Sequence, residues 1–187
     1  MLGNPYTIYV VDRGWVFIGM ELKEDVKSVY LDHASVIRRW GTSDGLGQLA
    51  LNGTATETVL DYCGRTKIRK AAILTEIECA NSIWEKDLPR NGHAVTEGPQ
   101  ANIYVVDRGW VFIGSSFEES EKGVYINNAS VIRRWGTQRG LGQLALEGKT
   151  SETILDYTGS IKVRGHAMLF TIECDTNIWT PQSLEKK

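Results

Sequence analysis

The sequence predicts an α+β protein that is mostly β and contains two copies of one small module. Two observations carry this prediction. The segment 8–19, IYVVDRGWVFIG, returns letter for letter at 103–114, an offset of 95 residues. Each copy is also rich in β-branched and aromatic runs that turn residues separate. We therefore expect about five strands and one short helix in each module.

Three further segments repeat at the same offset without a gap. They are ASVIRRWGT at 34–42, GLGQLAL at 45–51, and the segment 77–84, in which IEC at 77–79 and IW at 83–84 recur. About 48 of the 77 aligned positions are identical, which is far above chance. A module of some 80 residues buries only a modest fraction of its surface. We therefore expect the two copies to form a pair related by a pseudo-twofold axis.

The copies differ most where loops are expected, and these positions set the domain boundaries. The joining segment contains two prolines and two glycines, which favour irregular structure. The predicted organisation is a first module at 1–84, a linker at 85–102, a second module at 103–179 and a polar C-terminal tail at 180–187.

The first three strands follow from composition. Residues 7–12 and 16–20 are β-branched and aromatic runs on either side of Arg13-Gly14, which predicts a hairpin or a tight bend. Residues 29–40 form a third, longer extended run.

A short helix and two more strands complete the module. Residues 45–53 contain good helix formers and end in Gly53, a glycine at a plausible C′ position. Thr42, Ser43 and Asp44 are the candidate N-caps. Residues 57–62 and 68–79 are predicted to be the fourth and fifth strands.

Composition excludes several classes of protein. The chain has 187 residues, 42% of them hydrophobic, and its 21 Lys and Arg against 23 Asp and Glu give a formal charge of -2. That balance argues against a partner such as duplex nucleic acid held by counterion release. No apolar run approaches the roughly 18 residues of a membrane span, and the start lacks the pattern of a signal peptide. We expect a soluble cytoplasmic protein with no membrane partner.

Cysteines and histidines provide no catalytic or metal-binding pattern. The three cysteines form neither an even set nor a C-x-x-C pair, which disfavours a disulfide scaffold and a zinc site. Cys79 and Cys174 occupy matching positions in apolar strands and are expected to be buried. Cys63 is Thr158 in the other copy, and none of the three histidines recurs between copies.

The carboxylates common to both copies are expected to act as caps and surface ion pairs. In the first copy these are Asp12, Glu57, Asp61 and Glu78. We therefore expect no catalytic residues, no metal and no cofactor. An enzymatic function would require a metal or a carboxylate site that the spacing does not reveal.

Three repeated features point to ligand binding instead. Asp12-Arg13-Gly14-Trp15 places a cation beside an aromatic ring, a combination that holds flat rings. The alternative is a Trp packed in the core beside a solvated Arg. Gly45-x-Gly47 opens the helix, whose backbone N–H groups next to guanidinium groups suit an anion. The alternative there is a glycine-rich loop that only turns the chain.

The third feature is Arg38-Arg39-Trp40-Gly41-Thr42. On a strand, alternation sends Arg38 and Trp40 to one face and Arg39 to the other, so at most one Arg of each pair is expected at a given site. The candidate ligand-binding residues are Arg13, Trp15, Arg38, Arg39, Trp40, Thr42, Gly45 and Gln48 in the first module, and Arg108, Trp110, Arg133, Arg134, Trp135, Thr137, Gly140 and Gln143 in the second.

A family resemblance rests on the same segments. The order is Arg-Arg-x-Trp or Arg-Arg-Trp, then a Gly-rich turn, then a Leu-x-Gln-Leu-Ala-x-x-Gly helix, then two strands that end in a Glu-x-Cys-like edge. This order resembles a family of small phage-encoded domains of uncharacterised function. It is carried by Arg38, Arg39, Trp40, Leu46, Gln48, Leu49, Ala50, Gly53 and Cys79, and by Arg133, Arg134, Trp135, Leu141, Gln143, Leu144, Ala145, Gly148 and Cys174. The family is usually a single module, and its Arg-Arg-Trp spacing is longer.

The resemblance implies a phage origin and two functional classes. The first is a sponge that sequesters a nucleotide immune signal, of the cyclic dinucleotide or cyclic ADP-ribose type, and so blocks anti-phage defence in the host cytoplasm. Two near-identical modules suit a ligand that is itself twofold symmetric, and we expect self-association into a homo-oligomer. The alternative is a structural or assembly module with no small-molecule ligand, whose interface anchors are Trp15, Trp40 and Trp84 and their twins.

Overall fold

The structure is a computed structural model that describes residues 6–80, 83–84, 88, 100–120 and 122–185. The chain divides into two compact units, Met1–Gly92 and His93–Lys187. The division falls inside the predicted linker 85–102, most of which lies outside the described residues. Among the described residues, no helix is both long and apolar enough to cross a bilayer.

The first unit is an antiparallel sheet with one helix. Its elements are β1 (Tyr6–Val11), β2 (Trp15–Glu24), β3 (Ser28–Arg39), α1 (Gly45–Asn52), β4 (Val59–Arg69) and β5 (Ile73–Glu78). The strand order is β5-β1-β2-β3-β4, so the last strand returns to pair with the first.

The second unit has the same order of elements. They are β6 (Ala101–Val106), β7 (Trp110–Ser120), β8 (Gly123–Arg134), α2 (Gly140–Glu147), β9 (Ile154–Arg164), β10 (Met168–Glu173) and the short α3 (Pro181–Leu184). The strand order is β10-β6-β7-β8-β9. The prediction of a mostly β protein with five strands in each module is confirmed. The second unit has the short α3 in addition to the one predicted helix. The pseudo-twofold pair stays a prediction.

Several predicted boundaries are wrong. Residues 68–79 do not form one strand, because a 3-10 turn at Lys70–Ala72 separates β4 from β5. The first strand of the second unit starts at Ala101, inside the predicted linker. Leu88 in that linker and Leu184 in the predicted polar tail are both buried, because each is an apolar side chain that packs onto a unit. Leu88 joins the core of the first unit.

Helix α1 packs on one face of the first sheet. The core there includes Ile8, Ile18 and Ile37 from three adjacent strands and Leu49 and Ala50 from the helix. Alternation places these strand residues on a common face, and the helix covers them with its apolar side.

A buried tryptophan closes this core in each unit. The indole Nε1 of Trp84 donates to the carbonyl of Ala50 at 3.1 Å, and that of Trp179 donates to the carbonyl of Leu144 at 2.9 Å. Both side chains are buried. The suggestion that Trp84 and Trp179 are surface anchors is therefore wrong, because their rings fill the core and their polar atoms satisfy helix carbonyls.

The segment between β3 and α1 is fixed by backbone contacts. Gly41 has φ +68, and a Cβ there would lie 2.5 Å from the backbone nitrogen of Thr58. The Thr58 hydroxyl donates to the carbonyl of Trp40 at 2.6 Å, and the equivalent bond from Thr153 to Trp135 is 2.7 Å long. Only glycine fits this approach between two backbones.

The helix termini show how far local capping rules apply. Gly53 ends α1 with φ +81, and its N–H donates to the carbonyl of Leu49 at 2.9 Å, which confirms its predicted position. Asp44 is the N-cap residue, but its side chain makes no capping hydrogen bond. The Gln48 Oε1 atom instead accepts the Asp44 N–H at 2.9 Å.

We predict that Gly41→Ala destabilises the protein more than Gly45→Ala. Both glycines have positive φ, which costs about 1–2 kcal/mol for alanine. A Cβ at residue 45 meets nothing within 4 Å. A Cβ at residue 41 overlaps the backbone of Glu57 and Thr58, just before β4, and this overlap adds about 1–3 kcal/mol to the loss of stability. Urea unfolding of the two variants measures this, and equal losses of stability would show that the close approach is unimportant.

Candidate functional site

The turn between the first two strands of each unit presents an arginine. Arg13 has φ +64 and Arg108 has φ +63, a left-handed conformation that costs a non-glycine residue about 1–3 kcal/mol. The Asp12 carboxylate steadies the turn by accepting the Arg13 N–H at 2.8 Å. The Arg108 side chain is 85% exposed. The turn thus places an exposed arginine at a backbone position where glycine or asparagine would be less strained.

The tryptophan after each turn lies on the sheet beside a phenylalanine. Trp15 stacks on Phe17 with ring centroids 6.3 Å apart, and Trp110 stacks on Phe112 at 6.2 Å. Trp110 is 56% exposed, so the alternative in which this tryptophan fills the core is wrong for the second unit. Trp15 is half-buried.

Strand pairing brings the turn motif and the Arg-Arg-Trp motif together. Phe17 lies opposite Val36, and Trp15 and Arg38 each lie two residues farther toward the same end of the two strands. Because residues two apart share a face, Trp15 and Arg38 lie on one face of the sheet. The register of Phe112 with Val131 gives the same relation between Trp110 and Arg133.

Each arginine of the motif is in an ion pair. Arg38 contacts Asp61 at 3.1 Å, and Arg39 contacts Glu57 at 3.2 Å. The prediction of caps and surface ion pairs is confirmed for Glu57, whereas Asp61 pairs with an arginine but is buried rather than on the surface. The side chain of Arg38 is 53% exposed, whereas that of Asp61 is 8% exposed. Sequence spacing alone could not identify these partners, because strand pairing creates them.

The second unit repeats these pairs at a more exposed site. Arg133 pairs with Asp156 through both oxygens of the carboxylate: Nε lies 2.8 Å from Oδ2, and Nη2 donates a hydrogen bond to Oδ1 at 3.1 Å. Arg134 contacts Glu152 at 3.1 Å. All four side chains are largely solvated, so each pair contributes little to stability.

An open depression of about 400 Å³ lies at the end of β8. It is lined by Arg133, Arg134, Trp135, Gly136, Thr137 and Glu152. Strand alternation predicted that at most one arginine of each pair would point at a given site, whereas both Arg133 and Arg134 are among the residues that line this depression. The register shifts between Ile132 and Arg134, so strict alternation does not hold where the strand ends.

The residues at the helix start serve the local fold. The Gln143 Oε1 atom accepts the N–H of Arg139 at 3.0 Å, as Gln48 does for Asp44. The hydroxyl of Thr137 donates to the carbonyl of Gly140 at 2.5 Å. One of the backbone N–H groups that an anion would use is therefore already bonded to a side-chain oxygen. Gly140 and Gln143 are not among the residues that line the depression.

Cys79 and Cys174 are confirmed as buried thiols, and the structure also buries Cys63. Cys63, Cys79 and Cys174 are all buried and free. Burial raises the pKa of Cys63 and of Cys79 to about 12, and it raises the pKa of Cys174 well above its usual range, because a thiolate loses its hydration there. In the described part of the chain, no group of three or more His, Cys, Asp or Glu residues could hold a metal ion.

No family model, no curated protein and no solved structure matches this chain. The resemblance to small phage-encoded domains and the phage origin that it implies stay predictions. The fold and the geometry at the end of β8 are the observations that bear on function.

We predict that the three thiols do not react in the native protein at pH 8. The thiols stay protonated in the folded protein because burial raises their pKa. Their contribution to the free energy of unfolding is complete below the pKa of an unfolded thiol, about 8.5, and is lost as the pH rises from there toward 12. Absorbance after addition of an aromatic disulfide reagent, with and without urea, counts the reactive thiols. Rapid labelling of any cysteine without urea would contradict the buried assignment.

Proposed function

We propose that this protein is a non-catalytic binding protein that sequesters a nucleotide signal of the cyclic dinucleotide or cyclic ADP-ribose type. In this proposal it is a phage-encoded protein that acts in the host cytoplasm and blocks anti-phage defence. The observation that carries the binding proposal is the depression at the end of β8, where two arginines and an exposed tryptophan meet.

The groups that line the depression match the two parts of a nucleotide. Arg133 and Arg134 each offer a planar guanidinium group, which can donate two parallel hydrogen bonds to the oxygens of one phosphate. Trp135 is 42% exposed and offers a ring face on which a base can stack. The Thr137 hydroxyl lies at the same site. A volume of about 400 Å³ falls within the range of small-molecule sites.

The ion pairs determine how an anionic ligand would enter. Glu152 and Asp156 hold the two guanidinium groups before a ligand arrives. Because both pairs are exposed, their replacement by a phosphate costs little. The carboxylates also keep the guanidinium groups oriented at the end of the strand. Binding by such a site weakens as ionic strength rises.

The turn residues extend this surface in each unit. Trp110 lies on the same face as Arg133, and the strained turn at Arg108 holds another guanidinium at that end of the sheet. Residues held in strained backbone conformations cluster at functional sites, which supports a functional role for this turn.

Assembly without a small-molecule ligand is the second candidate. Apolar side chains exposed on the surface favour it: Phe117 is 57% exposed, in addition to Trp110 and Trp135. Exposed aromatic residues of this kind are typical of protein interfaces.

We predict that a cyclic dinucleotide or a cyclic ADP-ribose species raises the melting temperature of the protein. A ligand at 100 times its Kd stabilises the folded state by about 2.7 kcal/mol. Melting across a nucleotide panel, followed by chromatography of the ligand, tests both binding and sequestration. Recovery of an intact ligand supports sequestration, and a hydrolysed one contradicts it. No shift for any compound would select the assembly function.

We predict that Trp135→Ala and Arg134→Ala each weaken this binding by about tenfold, since base stacking is worth about 1–3 kcal/mol and a charged hydrogen bond about 1.5–3 kcal/mol. Arg139→Ala is the matched control, because Arg139 is also an exposed arginine paired with a carboxylate, Glu147, but does not line the depression. Isothermal titration calorimetry gives the affinities. A control that loses as much affinity as the two variants would place the ligand elsewhere.

We predict that Arg108→Asn keeps or raises the melting temperature while it weakens ligand binding. Asparagine tolerates a positive φ better than arginine does, so the substitution relieves strain at a turn. A lower melting temperature together with unchanged affinity would show that Arg108 serves the fold alone.

A further inference from the structure

Two strands, β5 and β9, end the sheets of their units with an exposed edge. Within the described residues β5 pairs only with β1, and β9 pairs only with β8. Neither strand contains a proline, and each exposes a large side chain, Leu74 at 65% and Tyr157 at 41%. Exposed edge strands offer unpaired backbone groups to a further strand.

The ladder between β1 and β5 shows which backbone groups are free to pair. The Cys79 N–H donates to the carbonyl of Tyr6 at 3.2 Å, and the register runs on through Thr7 with Glu78 and Tyr9 with Glu76. In an antiparallel ladder, alternate residues bond to the same neighbour. The N–H and C=O groups of Glu76 and Glu78 therefore point away from β1, toward the open edge.

The two edges carry opposite charges. Glu76 and Glu78 on β5 form no ion pair within the described residues. On β9, Lys162 donates to the Tyr125 hydroxyl, and neither Lys162 nor Arg164 has a carboxylate partner in that part of the chain. The one carboxylate of β9, Asp156, is already paired with Arg133. Two unpaired carboxylates on β5 thus complement two unpaired cations on β9.

We propose that copies of this chain associate head to tail, with β5 of one copy paired along its edge to β9 of the next. The backbone groups of the two edges supply the hydrogen bonds, and the charges select the partner. Pairing of β5 with β5 would oppose four carboxylates, and pairing of β9 with β9 would oppose four cations. Such a contact joins different surfaces, so it builds rings or open chains of copies. It is independent of the nucleotide proposal.

Charge reversal on each strand tests the contact. Light scattering after size exclusion should show an average mass for the native protein that rises with concentration. Glu76→Lys and Arg164→Glu should each weaken association by about tenfold, whereas Glu118→Lys, a reversal elsewhere on the surface, should not. The double variant with both reversals in one chain, and a 1:1 mixture of the two single variants, should recover association, because each restores opposite charges across the contact.

Hydrogen exchange of the native protein gives a readout that needs no variant. The amides of Glu76 and Glu78 should exchange more slowly as the protein concentration rises. A single-chain mass and unchanged exchange at all concentrations would overturn the proposal. So would an assembly that survives both single reversals, or a mixture that stays dissociated while circular dichroism shows folded variants.

Discussion

The backbone of Gly41 lies against the backbone of Glu57 and Thr58, and the geometry at the end of β3 depends on this approach. The Thr58 hydroxyl adds a hydrogen bond to the carbonyl of Trp40. The chain therefore leaves the strand in one direction, and the start of α1 is fixed relative to the sheet. The second unit contains the same approach at Gly136, so the Arg-Arg-Trp segment is held in the same way there.

This constraint explains why the charged segment remains ordered at a strand end. Each guanidinium of the motif has a carboxylate partner on the next strand or on the loop that leads to it. Such pairs add little stability at the surface, but they hold planar guanidinium groups at the end of the strand, where Arg133 and Arg134 line the depression of the second unit. Close contacts therefore fix the path of the backbone here, and the ion pairs of the second unit are exposed to solvent. This arrangement suits the proposed anionic ligand, which would replace a carboxylate beside a guanidinium group.

The repeat and the local patterns made much of the fold predictable. The number of strands per module, the position of the helix and the glycine at its end follow from composition and turn residues. The misplaced boundaries have tertiary causes. Lys70–Ala72 interrupts the run 68–79 that the sequence predicts as one strand. Leu88 and Leu184 lie in segments of polar composition, but each is buried as a single apolar side chain. Periodicity over a few residues contains no information about such contacts.

For the site, the sequence by itself identified the residue types: arginines beside tryptophans, glycine at the turns, and cysteines with the surroundings of buried thiols. It also assigned Glu57 and Asp61 to ion pairs. Only the tertiary structure decided which groups meet. Arg133 and Arg134 both line one depression at the end of β8, where the register shifts. Trp84 is a core residue whose indole donates to a helix carbonyl. Alternation and propensity act between neighbours in sequence, whereas strand register and burial are set by residues far apart in the chain.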